Sequence, residues 1–165
     1  MSYRVAIVED NSTARSSLRS HLLLGGEITV SSFSTGTELK TALRKQNFEL
    51  VILDFHLGQH KTGAEWVQDL RQSTFLRPST GVLFLTSDRL PQTIGKIVDT
   101  QPDALIIKPY TIANLTRAVT SYFDYRNVVL EALRALDENR PATALAALEK
   151  LERSGVPPRI RSDFL

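Results

Sequence analysis

Five short apolar runs, at residues 4–8, 28–33, 48–53, 82–85 and 104–107, are each followed by a stretch in which apolar residues recur at helical spacing. That alternation leaves few folds open. Strands joined through helices lie parallel, their crossovers are right-handed, and the helices cover both faces of the sheet. Phe48-Glu49-Leu50-Val51-Ile52-Leu53 is almost uninterrupted by polar residues, as a strand covered on both faces requires, and it ends abruptly at Asp54. The expected fold class is α/β, a five-stranded doubly wound parallel sheet with a C-terminal helical extension.

Local signals place the helices between these runs. Asn11 or Ser12 can cap the first, where Leu18, Leu22 and Leu23 share a face before Gly25-Gly26 ends it. Thr35, Thr62 and Thr111 can cap the second, third and fifth, and Pro91 suits the first turn of the fourth. The fifth helix has no stop signal near residue 123. Ile112, Leu115, Val119, Tyr122, Arg126, Val129, Leu133 and Leu136 keep a three-four spacing that only Arg126 interrupts. Asn139-Arg140-Pro141 then predicts a turn. Ala144, Leu145, Leu148 and Leu151 mark a last helix, closed by Ser154-Gly155 and Pro157-Pro158. The expected division is an α/β domain over residues 1–123 and a helical hairpin over 124–165, an element for interaction or dimerisation or the start of a longer output region. Residues 141–151 are weakly similar to one helix of a tetratricopeptide-type repeat, and one such repeat cannot bury its own face.

Composition excludes several classes of partner. The formal charge of the 165 residues is +2, and from Tyr122 onward seven Lys/Arg balance seven Asp/Glu, so no nucleic-acid contact is expected of this chain. No cysteine is present for a disulfide or a thiolate-bound metal. Glu9-Asp10 interrupts the N-terminal apolar run too early for a secretory signal, and no run approaches the ~18 apolar residues of a membrane span. The expected location is the cytoplasm.

Chemistry gathers where the runs stop. The first run delivers Glu9 and Asp10, the third Asp54, the fourth Thr86 and Ser87, and the fifth Lys108-Pro109. In an open parallel sheet these positions crowd one edge, where ligands bind. Carboxylates packed together repel unless a cation intervenes, and hard oxygen donors of this kind suit Mg²⁺. A lysine and a hydroxyl beside such a cation form a receptor for a phosphoryl group.

The set Val8-Glu9-Asp10-Asn11, Val51-Ile52-Leu53-Asp54, Leu85-Thr86-Ser87 and Ile107-Lys108-Pro109-Tyr110, in that order, resembles the receiver domain of two-component response regulators. The resemblance covers residues 1–123. It implies a flavodoxin-like fold with strand order 2-1-3-4-5, and Asp54 as acceptor of a phosphoryl group from a histidine kinase or phosphotransfer protein. It also implies Mg²⁺ held by Glu9, Asp10, Asp54 and the backbone carbonyl of His56, with Thr86 hydrogen-bonded to the phosphoryl group and Lys108 paired with it. Such a protein is a switch of protein–protein interactions, not an enzyme with a separate substrate. It catalyses only its own phosphorylation and dephosphorylation. A homodimer, through the helical extension or through the fourth and fifth helices, is a further expectation.

Three positions depart from the family pattern. Leu105 stands where an aromatic residue usually turns inward, Leu57-Gly58 replaces Met-Pro, and the loop glycine, Gly63, is displaced by about one residue. The positions that adjust acyl-phosphate lifetime are His56 and Asp88. His56 is expected to position or restrain water, and Asp88 to add repulsion. His21, His60-Lys61, Trp66, Phe33 and Phe84 are read as helix surface, loop tip and packing. The competing function is a pseudo-receiver, the same fold kept as a phosphorylation-independent interaction or dimerisation scaffold, which Leu105 mildly favours and the retained Glu9, Asp10, Asp54, Thr86 and Lys108 oppose. An aspartyl phosphatase would want a second acid at the place His56 occupies.

Overall fold

The computed structural model describes residues 2–58 and 60–155. Its strands are β1 (Tyr3–Val8), β2 (Ile28–Phe33), β3 (Leu50–Leu53), β4 (Gly81–Thr86) and β5 (Ala104–Ile107). Its helices are α1 (Ser12–Leu23), α2 (Gly36–Leu43), α3 (Gly63–Gln72), α4 (Pro91–Asp99), α5 (Ile112–Asp137) and α6 (Pro141–Arg153). Every strand pair is parallel, in the order β2-β1-β3-β4-β5. The expected flavodoxin-like doubly wound sheet is the observed one.

Alternation along each strand divides the core in two. Ala6, Val8, Val51, Leu53, Val82 and Phe84 pack with Leu39 of α2, Val67 and Leu70 of α3, and Ile97 of α4. Val5, Ile7, Leu50, Ile52, Leu83 and Leu85 point the other way, onto Leu18 and Leu22 of α1 and Leu115 and Val119 of α5. Every residue of β3 and β4 is therefore buried, which is why their sequence runs apolar without alternation. The third run reaches two residues beyond its strand. Phe48 is buried from a loop, edge-on to Phe33, and pairing begins only after the Glu49 amide has bonded the Arg4 carbonyl at 2.9 Å.

Helix starts follow the capping chemistry read from the sequence. Asn11, not Ser12, caps α1, accepting from the Ala14 amide at 2.8 Å. Thr35, Thr62 and Thr111 accept from the amides of Glu38, Glu65 and Asn114. Pro91 opens α4, whose capping residue, Leu90, supplies no side-chain acceptor.

α5 continues without interruption through residue 123 to Asp137. Arg126 does not break its buried stripe. The side chain is buried, and its Nε donates to the Ser79 carbonyl at 3.0 Å. Asp137 accepts from the same residue's amide at 2.9 Å and from its hydroxyl. Beyond the sheet, Ala132 and Ala135 of α5 meet Ala144 and Ala147 of α6, small side chains that let the two helices approach closely. Ser154 and Gly155 end α6; Pro157-Pro158 lie outside the described residues.

The start of β4 shows how tightly α5 is seated. A Cβ on Gly81 would lie 2.2 Å from Cζ of Tyr122, whose hydroxyl donates to the Glu49 carbonyl at 2.9 Å. Burial raises the phenol's pKa, so it remains a donor. Gly81→Ala is therefore expected to displace Tyr122 and lower stability by about 1–3 kcal/mol, the usual range for an overpacked core, in urea unfolding followed by circular dichroism.

Candidate functional site

Strand register brings the expected residues to one edge. Val8 lies beside Leu53, Leu53 beside Phe84, and Thr86 beside Ile107, so Glu9, Asp54, Thr86 and Lys108 emerge from four adjacent strands. Glu9 is 5% exposed, Asp54 9% and Thr86 not at all. Two buried carboxylates side by side need a counter-charge, and Lys108 supplies it. Its Nζ lies 2.9 Å from Oε2 of Glu9 and 3.1 Å from Oδ2 of Asp54. Burial alone would lower the ammonium's pKa, but the two carboxylates outweigh it and raise it. Burial also raises the Glu9 carboxyl, against the opposing pull of Lys108 and the Asn11 amide and with the help of Asp10.

Asp10 is exposed at the rim. Among the described residues no three acidic or histidine side chains converge closely enough, as they stand, to ligate an ion. The donor chemistry nonetheless fits a hard divalent cation. Glu9 and Asp54 bring two carboxylates against one ammonium, Asp10 adds a third beside Glu9 at the rim, and the Lys108 nitrogen marks the place between the first two that attracts positive charge.

The loop after β3 is shaped around Asp54. The His56 amide donates to Oδ1 of Asp54 at 3.3 Å. Gly63 returns against it, its amide bonded to the Phe55 carbonyl at 2.6 Å, and a Cβ there would lie 2.2 Å from the Asp54 carbonyl oxygen. The loop glycine, though displaced in sequence, thus stands where only glycine fits.

Several contacts were not legible beforehand. His56 and Asp88, read separately, are partners: Nε2 of His56 lies 2.8 Å from Oδ2 of Asp88. Since a carboxylate only accepts, the imidazole donates. Asp88 also accepts from the Leu90 amide at 2.9 Å and from the Thr93 hydroxyl at 2.8 Å, and its own amide donates to the Thr86 hydroxyl at 3.2 Å. The Leu90 amide first, then His56 and Thr93, hold its carboxyl below the ordinary aspartate value. His21, read as a surface residue, lies with Nδ1 2.8 Å from the Tyr110 hydroxyl. Lys61, read as a loop tip, pairs with Asp69 and sits 4.5 Å over the Trp66 ring. The partners of His56 and His21 are distant in sequence, and no spacing rule pairs them.

Known proteins resemble the chain over part of its length. The chain is 27% identical over 117 residues to the TorCAD operon transcriptional regulatory protein TorR of Escherichia coli (strain K12), a match covering 70% of this chain and 47% of TorR. The chain thus spans about half the length of that relative. Among solved structures, a CheY-like response regulator receiver domain protein from Methanospirillum hungatei superimposes with a TM-score of 0.69 at 20% identity, covering 77% of this chain and 98% of the other. The isolated REC domain of RcsB from Salmonella enterica serovar Typhimurium, in the presence of phosphomimetic BeF3-, gives 0.67 at 19%, covering 75% and 90%. At such identities the likeness is one of fold. The family model for the response regulator receiver domain matches residues 5–120, and with Glu9, Asp54, Thr86 and Lys108 at one sheet edge the chain belongs to that family.

Proposed function

We propose that Asp54 accepts a phosphoryl group from the phosphohistidine of a sensor kinase or phosphotransfer protein, and that the chain switches protein contacts in response. The observation that carries this reading is the single ammonium of Lys108 held against both Glu9 and Asp54. A carboxylate oxygen of Asp54 attacks phosphorus, the bond to the donor imidazole breaks, and an acyl phosphate remains. Lys108 turns to the transferred oxygens and offsets their charge. The Thr86 hydroxyl, next along the edge, donates to one of them. Glu9, Asp10, Asp54 and the His56 carbonyl would hold Mg²⁺, which when bound neutralises charge on the transferring group.

The remaining assignments follow from the same reading. We place the receiver in residues 1–123 and the partner-facing extension in 124–165, in a protein acting in the cytoplasm. No described helix is long and apolar enough to cross a membrane. Leu90, Val98 and Ile112 are exposed on and beside α4 and α5, and Leu145 on α6. These apolar side chains support contact with a protein, or with a second copy, after switching. The balanced charge of the extension supports no nucleic-acid contact.

Incubation with acetyl phosphate and Mg²⁺ is expected to add one phosphoryl group to the native chain, by intact-mass spectrometry, and none to Asp54→Ala. Light scattering with a beryllofluoride mimic should change the mass or shape of the native protein alone. An identical response in Asp54→Ala would overturn the switch, and two inert proteins would support the scaffold reading. Lys108→Met removes the cation that competes for Glu9 and Asp54. Mg²⁺ affinity by calorimetry should then rise about tenfold, the equivalent of ~1.4 kcal/mol.

A further inference from the structure

Five hydrogen bonds run from the acceptor to the first turn of α4. The His56 amide donates to Asp54, the His56 ring to Asp88, the Asp88 amide to Thr86, and the Leu90 amide and Thr93 hydroxyl both to the Asp88 carboxylate. Asp88 is the only residue common to the last four. It also does what the capping residue of α4 cannot. Leu90 has no side-chain acceptor, so the negative group beside this helix start is Asp88, two residues earlier.

The usual inward-turning ring is missing from this chain. Leu105 packs instead into the core cluster that holds Phe84 and Ile97 of α4. We propose that Asp88 carries the occupancy of Asp54 to α4, through His56 and Thr86 on one side and Thr93 on the other. The inference rests on the phosphoryl-acceptor reading and deepens it.

The physical argument is competition for donors. A phosphoryl group brings about two negative charges and three strong acceptor oxygens next to the His56 and Thr86 donors. The Thr86 hydroxyl rotates toward it and draws on the Asp88 amide. The His56 ring gains a better acceptor than Asp88, while the new charge repels the Asp88 carboxylate. Asp88 then shifts with the groups it still holds, the Leu90 amide and the Thr93 hydroxyl, which belong to the start of α4. Thr93 is buried, so its displacement must move the helix.

Amide NMR of the full chain tests the link. With Mg²⁺ and beryllofluoride, native protein should show shifts at Phe55 and His56, reporting the acceptor, and at Thr93–Ile97, reporting α4. Thr93→Val should keep the first set and lose more than half of the second, and Thr93→Ser, which restores the hydroxyl, should recover it. An α4 response in Thr93→Val equal to native, or a serine variant as deficient as valine, overturns the link. Absence of shifts at Phe55 and His56 in native protein overturns the acceptor reading instead. The link is then judged without any ligand. His56→Ala should speed hydrogen exchange of the Ile94 amide, which bonds the Leu90 carbonyl, by about fivefold, the factor for one hydrogen bond of ordinary net worth. Unchanged exchange at Ile94 overturns the link whatever binds at Asp54.

Discussion

The interior strands of this sheet have no face turned to water. With helices on both sides, β3 and β4 can carry only apolar residues along their length, and the first polar side chains possible are those just past their ends. Because all five strands run in one direction, those ends share an edge. Burial therefore concentrates Glu9, Asp54, Thr86 and Lys108 in one place before any chemistry is considered. Once there, the two carboxylates repel, and Lys108, whose raised pKa is the other side of the same interaction, offsets that repulsion.

What could be read from the chain follows from the range of each signal. Caps at Thr35, Thr62 and Thr111, the proline at the start of α4 and the apolar stripes are local. They depend on residues within one turn, and they emerge as expected. The strand-end residues were legible because topology alone decides where they gather. Pairs between loops were not. Nothing within a few positions of His56 points to Asp88, and nothing near His21 points to Tyr110. Arg126 misled for a related reason. A charged residue inside an apolar stripe reads as an interruption, yet its guanidinium finds the Ser79 carbonyl on a loop that the helix pattern cannot foresee. β3 was shorter than its apolar run because apolarity records burial, and Phe48 is buried without pairing as a strand.

The middle and far end of α5 are held to the body by directional groups. Tyr122 reaches the Glu49 carbonyl, Arg126 the Ser79 carbonyl, and Asp137 the amide and hydroxyl of Ser79. All of these lie at the strands' starting edge, opposite Asp54. The alanine seam between α5 and α6 then adds a second helix without a large apolar core.

The continuity of α5 gives this arrangement a mechanical meaning. Its 26 residues make a rod of about 39 Å that begins beside Tyr110 at the Asp54 edge and ends past the far side of the sheet. It is pinned near its middle by Tyr122 against Gly81 and at its far end by Asp137 on Ser79. A tilt of the rod that displaced the Asn139 turn would have to break the Asp137–Ser79 bonds, and α6 rides on that end. The hairpin thus shares one continuous helix with the Asp54 edge, while its own position is set at the opposite edge by Ser79.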